Sequence, residues 1–228
     1  MDVNTTANRA YANEYGVQPR AMDLQRVTAA QLDALGADLW LLTPPCQPYT
    51  TGPNARRRDT ADPRAASLLA LLSPAAGLPA MSRPPARLLL ENVPGFVGSG
   101  GHGALRAALA GAGYEVREFI VSPHQLGVPY SRPRYFALAL RRPLRFPHAA
   151  DCNLGPMEHP PCLGQGPGRL GATDAEVAAL HGMPPGWADR AAAAGLSARQ
   201  QYALLGNGLS VDVAAHLLAY LLADLPTE

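Results

Sequence analysis

The chain has 228 residues, 47% of them apolar, and a formal net charge of +1, enough for one sizeable domain with a real core, alone or with a small appendage. So even a charge balance demands neither a polyanion nor a membrane as partner, although local basic clusters still matter. No apolar run reaches membrane-spanning length, and the polar start Asp2-Val3-Asn4-Thr5-Thr6 is no secretory leader. Three cysteines without a framework suit a reducing compartment, so the cytoplasm is the expected location, with the nucleus also open.

Thr5 to about Tyr15 has helical spacing after a polar start able to cap it. Pro19 to Asp23 reads as a short strand ending in an acid, and Thr28 to Leu35 as a helix with Gly36 past its end. Leu39 to Thr43 is a buried strand that runs directly into Pro44-Pro45-Cys46-Gln47-Pro48-Tyr49-Thr50. Each proline fixes its own φ and biases the residue before it away from helix, so the thiol stands on a stiff extended loop at the carboxyl end of a strand. In open α/β sheets, ligands and chemistry collect at that edge. A lone cysteine is more often a small core hydrophobe, but the prolines argue for a displayed nucleophile.

Thr51 to Arg64 is a polar loop containing Arg56-Arg57-Arg58, either a solvated run or a basic flap that meets phosphates. A helix is expected from Ala65 to Leu72, and Pro74 to Pro85 reads as a linker. Ala86 to Asn92 is a second buried strand, which empties into Val93-Pro94-Gly95-Phe96 and presents Glu91 and an amide at its end. A desolvated carboxyl there holds its proton more tightly and suits a general acid; the plainer reading is a helix cap or a salt-bridge partner. Leu105 to Gly111 reads as a short helix, Tyr114 to Val121 as a strand and Ser122 to Pro129 as a turn. Arg132 and Arg134 then head another apolar strand that ends at Leu140, where they could grip a base edge or an anion, or be ordinary surface charges.

Arg141 to Gly171 loses periodicity. Its His148, Cys152, His159 and Cys162 match no strong zinc spacing, and no metal is assigned. Asp174 to His181 and Ser197 to Leu205 read as helices, Gly206-Asn207-Gly208-Leu209-Ser210 as a tight turn, and Val211 to Leu222 as an amphipathic closing helix.

A strand ending in Pro-Pro-Cys-Gln, a strand ending in Glu-Asn-Val, an Arg-x-Arg and a late Gly-Asn, in that order, resemble the cytosine-C5 methyltransferases over almost the whole chain. Asp2-Val3-Asn4-Thr5, Thr50 after the cysteine loop, Ser131-Arg132-Pro133-Arg134-Tyr135-Phe136 and Leu204-Leu205-Gly206-Asn207 are similar to the branch that acts on cytosine 38 of aspartate tRNA. The resemblance implies an α/β, Rossmann-like class I methyltransferase fold that uses S-adenosylmethionine, with a core over 1–140, a reduced target-recognition region over 141–172 and a helical return over 173–228. It implies a catalytic set of Cys46, Glu91, Arg132 and Arg134, with Arg134 on the base carbonyl and Arg132 supporting the loop or a phosphate. Asp2 would hold the ribose hydroxyls, Val3 the adenine, Asp23 the adenine amine and Asn207 the methionine end, with Pro44 also beside the cofactor. The implied partner is a nucleic acid, tRNA before DNA, acted on by a monomer with no membrane attachment.

Two departures matter. The family places a strand and a glycine-rich turn ahead of Asp2, and their lack here leads us to expect a fold short of its first strand, by roughly one βα unit on the order of 30 residues. The recognition region is also short, and a Cys-Phe-Thr motif of the tRNA branch is not found. A catalytically dead nucleic-acid-binding remnant is therefore the alternative from another class. A thiol hydrolase built on Cys46 has no clearly placed histidine partner.

Overall fold

The structure is a computed structural model, and it describes residues 3–51, 58–147 and 173–225. Its strands are β1 (Leu39–Leu42), β2 (Arg87–Asn92), β3 (Tyr114–Val121) and β4 (Arg134–Arg141). Its α-helices are α1 (Thr5–Tyr15), α2 (Ala29–Asp33), α3 (Ala66–Leu72), α4 (Gly100–Gly111), α5 (Asp174–Leu180), α6 (Trp187–Ala193), α7 (Ala198–Asn207) and α8 (Val211–Leu221). They form two compact units interleaved along the chain. One comprises Met1–Asp23, Ser122–Arg132 and Glu158–Ala215; the other Leu24–Val121, Pro133–Met157 and His216–Glu228.

The second unit is built on one sheet, in the order β1-β2-β4-β3. β1 and β2 are parallel, while β4 is antiparallel to both of its neighbours. The carboxyl ends of β1 and β2 and the amino end of β4 therefore share one edge of the sheet. All of β2 is buried, as its unbroken apolar run Leu88-Leu89-Leu90 requires of a strand covered on both faces. On one face α4 packs against β3 through His102 and Glu118, 2.5 Å apart. On the other, Phe146 stacks on Tyr220 of α8 with centroids 5.4 Å apart, Arg117 lies over Phe146, and Arg87 bonds Asp224 at 2.5 Å. Side chains alternate along a strand, which assigns Glu91 and Arg134 to the second of these faces and Asn92 and Tyr135 to the first.

The first unit is helical. Ala178, Trp187, Ala191, Leu196 and Leu205 form its core, with Ala10 and Met183 packed against them. α1 is tied to α6 by a two-pronged bond from Arg190 to Glu14, at 2.6 and 2.9 Å. α1 begins where Asn4 accepts from the amides of Thr6 and Ala7, and ends at Gly16, whose φ of +66° an L side chain rarely adopts.

Five expectations need correction. The strand before the cysteine loop is not buried along its length: β1 stands at the end of the described sheet, and Leu41 is 56% exposed. Pro19–Asp23 is not a strand: Pro19 brings no N–H, and a strand exists by its ladder, which none of the described residues supplies here. α4 starts at Gly100 rather than Leu105, because Ser99 accepts from the His102 amide and overrides the poor propensity of Gly100, Gly101 and Gly103. α6 was not expected at all. Gly206 and Asn207 close α7 instead of turning out of it. Ala198–Leu221 is also long and apolar enough, by length and composition, to pass for a membrane span. It is two helices, however, broken at extended Gly208, with Leu205, Val213, Leu217 and Leu221 buried.

Candidate active site

The sheet edge gathers three segments that lie far apart in sequence. From β1 the chain runs through Pro44 and Pro45 to Cys46, which is half-buried and free. The Cys46 carbonyl accepts from the Tyr49 amide at 2.9 Å and from the Thr50 hydroxyl at 3.0 Å, closing a tight turn beneath the thiol. Tyr49 plugs this turn into the protein. It is buried and meets Phe96 edge-on at 4.8 Å, and burial together with the nearby Asp59 and Asp62 pushes its phenol up to about 12.

From β2 come Glu91 and Asn92, both buried. Asn92 accepts from the Val93 amide at 2.8 Å, and its amide nitrogen reaches the Pro44 carbonyl at 3.5 Å. The turn beyond it presses on the cysteine loop: a Cβ built on Gly95 would overlap the Tyr49 carbonyl and lie 2.9 Å from the Thr51 methyl. Only a glycine permits so close an approach of two backbones. From β4 comes Arg134. Glu91 is opposed by Phe136 in the ladder, so Arg134, two residues away, is its diagonal neighbour on the same face. The Arg134 Nε lies 3.3 Å from a Glu91 carboxylate oxygen, and its Nη1 donates to the Pro133 carbonyl at 2.8 Å. The guanidinium plane is thereby fixed.

Residues 58–65 brace the cysteine loop from outside. The Asp59 amide donates to the Pro48 carbonyl at 3.3 Å, and its carboxylate accepts from Gly100 and Gly101 at 2.6 and 3.2 Å, capping α4. Asp59 holds this position at a φ of +50°, a strained backbone for a residue with a Cβ. Arg64 forks onto buried Asp62 at 2.9 and 2.7 Å, which holds the Asp62 carboxyl far below the usual carboxylate range. The same bonds raise the Arg64 pKa, with a smaller contribution from nearby Cys46. Asp59, Asp62 and Arg64 were not singled out from sequence; the only signal was their place just beyond the cysteine loop. A buried group also lies under the edge, where Glu118 accepts from Tyr135 at 2.7 Å and meets His102.

In the helical unit, Arg132 commits one guanidinium nitrogen to protein, and its Nε is buried. Its Nη2 donates to the carbonyls of Gly206 and Gly208, at 2.6 and 2.5 Å, one on each side of Asn207. Val3 is 67% exposed, and Asp23 and Asn207 are also exposed. Asp2, Arg56, Arg57, His148, Cys152, His159 and Cys162 lie outside the described residues. Among the described residues no group of three or more His, Cys, Asp or Glu side chains could hold a metal.

Residues 1–158 match the family model described as C-5 cytosine-specific DNA methylase. The chain belongs to that family. It is 36% identical over 168 residues to the tRNA (cytosine(38)-C(5))-methyltransferase of Bos taurus, a match covering 71% of this chain and 42% of that protein. It is 37% identical over 139 residues to the protein of the same name from Schizosaccharomyces pombe, covering 61% and 41%. The chain thus spans about two fifths of the length of these relatives. Its fold is similar to that of the Entamoeba histolytica methyltransferase EhMeth, with a TM-score of 0.82 at 24% identity over 99% of this chain and 89% of that one. The Rossmann-like α/β fold expected from sequence is therefore the fold of this family member.

By chemical type alone, three exposed residues of the helical unit match parts of S-adenosylmethionine. An open apolar side chain (Val3) offers a face to a purine, a carboxylate (Asp23) accepts from an amine, and an amide (Asn207) can bond an amino-acid head.

Proposed function

We propose that the chain transfers a methyl group from S-adenosylmethionine to carbon 5 of cytosine in nucleic acid, tRNA before DNA. The observation that carries this is the Glu91–Arg134 pair, 3.3 Å apart at the same sheet edge as the Cys46 loop. Carbon 5 of cytosine is a poor nucleophile until a thiolate adds at carbon 6, and Cys46 is the residue for that step. As the ring gains charge, Glu91 meets N3 and the guanidinium of Arg134 meets the oxygen on carbon 2. Their bond to each other fixes the spacing of the two groups before the base arrives. S-adenosylmethionine, when bound, supplies an electrophilic methyl on its sulfonium. By the family resemblance, Val3, Asp23, Pro44 and Asn207 would hold it, with Asp2 on the ribose. Loss of the carbon-5 proton then expels Cys46 and restores the ring.

A cytosine must leave its stack to reach such an edge, and a loop nucleotide of RNA is cheaper to extrude than a paired base of duplex DNA. The curated relatives quoted above are both named for tRNA cytosine 38, which supports the same order of preference. Residues 141–172 are assigned to target recognition, and the chain is taken to act as a cytoplasmic monomer. The test is transfer of tritiated methyl to tRNA and, in parallel, to duplex DNA. Transfer to DNA alone would overturn the substrate, and nucleic-acid binding without transfer would make the chain a binding remnant. Cys46→Ala should abolish transfer while leaving the affinity for S-adenosylhomocysteine within about threefold; retained turnover in that variant would overturn the covalent route.

A further inference from the structure

We propose that Arg132 is a positioning residue of the methyl-donor side, a clamp that sets the turn bearing Asn207, and does not grip the nucleic acid. This rests on the reading that Asn207 meets the donor.

An α-helix leaves its last carbonyls without intrahelical partners, and they carry the negative end of its dipole. In α7 the break comes at Gly208, whose amide turns back to Leu204 at 2.8 Å and Leu205 at 3.1 Å while its backbone becomes extended. Two glycines flank Asn207, so no side chain at either site restricts the turn. A single nitrogen of Arg132 supplies what the local sequence lacks. Its two hydrogens go to the Gly206 and Gly208 carbonyls, pinning the backbone on both sides of Asn207, and the cation meets the helix terminus where it is most favourable.

The clamp is itself anchored. The Arg132 amide donates to the Ser122 hydroxyl at 2.8 Å, and that hydroxyl also bonds His124 at 2.8 Å. Tyr130, two residues before Arg132, bonds His181 at 2.9 Å. The other His181 nitrogen bonds the Val177 carbonyl at 2.9 Å, and the His181 carbonyl accepts from the amide of Val211, which opens α8. Loop 122–132 is therefore held at both ends before Arg132 reaches out. An arginine carried on a fixed loop, with Nη2 shared by two carbonyls, is committed to protein. A phosphate or base contact asks for the opposite, a fork left open to solvent.

Three proteins decide it: wild type, Arg132→Gln and Arg132→Lys. Calorimetry with S-adenosylhomocysteine should show affinity weakened by roughly ten- to a hundredfold in Arg132→Gln, the scale of losing charge-assisted hydrogen bonds, and partly restored in Arg132→Lys. The KM for a tRNA transcript at saturating donor should stay within about threefold of wild type. Hydrogen exchange at the Gly208 amide should speed up in Arg132→Gln while amides of β2 and β4 keep their protection, which also shows that the variant folds. A raised KM for tRNA with donor affinity and exchange unchanged would overturn the proposal and return Arg132 to the nucleic acid. A wild-type chain that binds no S-adenosylhomocysteine, yet shows the exchange difference, would refute the donor-site reading and reduce the clamp to a structural tie. Unchanged exchange would refute the clamp itself.

Discussion

The support beneath the sheet edge yields the sharpest test of the packing argument. Tyr135 is fully buried, and its hydroxyl donates at 2.7 Å to Glu118, which is itself buried. Glu118 also meets His102 at 2.5 Å and lies 3.8 Å from Arg106. Burial raises the proton affinity of Glu118, but the bonds from His102 and Tyr135 and the neighbouring positive charges outweigh it, and its pKa lies below the ordinary glutamate value. Tyr135→Phe deletes one donor to a buried carboxylate without changing the ring volume, so no cavity term enters. A hydrogen bond to a charged group contributes about 1.5–3 kcal/mol, and for a chain of this size each kcal/mol moves the melting temperature by about 2–4 °C. Urea titration should therefore show a loss of about 2 kcal/mol, and calorimetry a drop of about 4–8 °C. The sign of the pH dependence follows from the lowered pKa. The stability Glu118 contributes is present above its unfolded pKa and is lost as pH falls through the folded one, so Glu118→Gln should flatten the acid limb. In the Glu118→Gln background, Tyr135→Phe should cost clearly less than in wild type, because the charged acceptor is gone. A Tyr135→Phe protein within about 0.5 kcal/mol of wild type would refute the argument.

Two further perturbations probe the cysteine loop. Gly95→Ala drives a methyl into the Tyr49 carbonyl, which cannot retreat without moving the turn under Cys46; we expect a loss of about 1–3 kcal/mol and reduced methyl transfer, read by urea titration and single-turnover assay. Asp59→Ala removes one of the two caps of α4, leaving Ser99, and should cost about 1–2 kcal/mol, while Asp59→Asn keeps an acceptor, tolerates the positive φ and should cost less than half as much; equal losses in the two variants would show that the Asp59 cap contributes nothing.

Much of the edge was legible because its signals are local. A strand-length apolar run followed by proline predicts where β1 and β2 stop, and the residues after each stop must lie at one edge if the strands are parallel. Strand β4 was also legible, but not its direction: nothing in Arg134 to Leu140 states that the strand is antiparallel, and the pairing of Arg134 with Glu91 depends on that direction. The failures share a cause. Pro19–Asp23 reads as a strand only if a neighbour supplies a ladder, and the amino-terminal turn of α4 reads as a loop unless Ser99 and Asp59 are seen capping it. A strand's ladder and the Asp59 cap both come from residues distant in sequence, which local propensity does not report.

The two arginines of Ser131-Arg132-Pro133-Arg134 show where residue type stops being informative. They share a charge, a motif and an expected polyanionic partner, yet their neighbours differ in kind. Arg134 opens the strand beside β2, whose penultimate residue is Glu91, so its partner is a charge at the reacting edge. Arg132 precedes Pro133, which has no N–H and fixes its own φ; its backbone is spent on Ser122 and its Nη2 on the two carbonyls around Asn207. Replacing each arginine in turn by lysine leaves the net charge unchanged and separates the two roles. If the geometry governs, Arg134→Lys should lower turnover without moving donor affinity, because a point charge cannot hold both Glu91 and a carbonyl oxygen in one plane, while Arg132→Lys should move donor affinity before anything else.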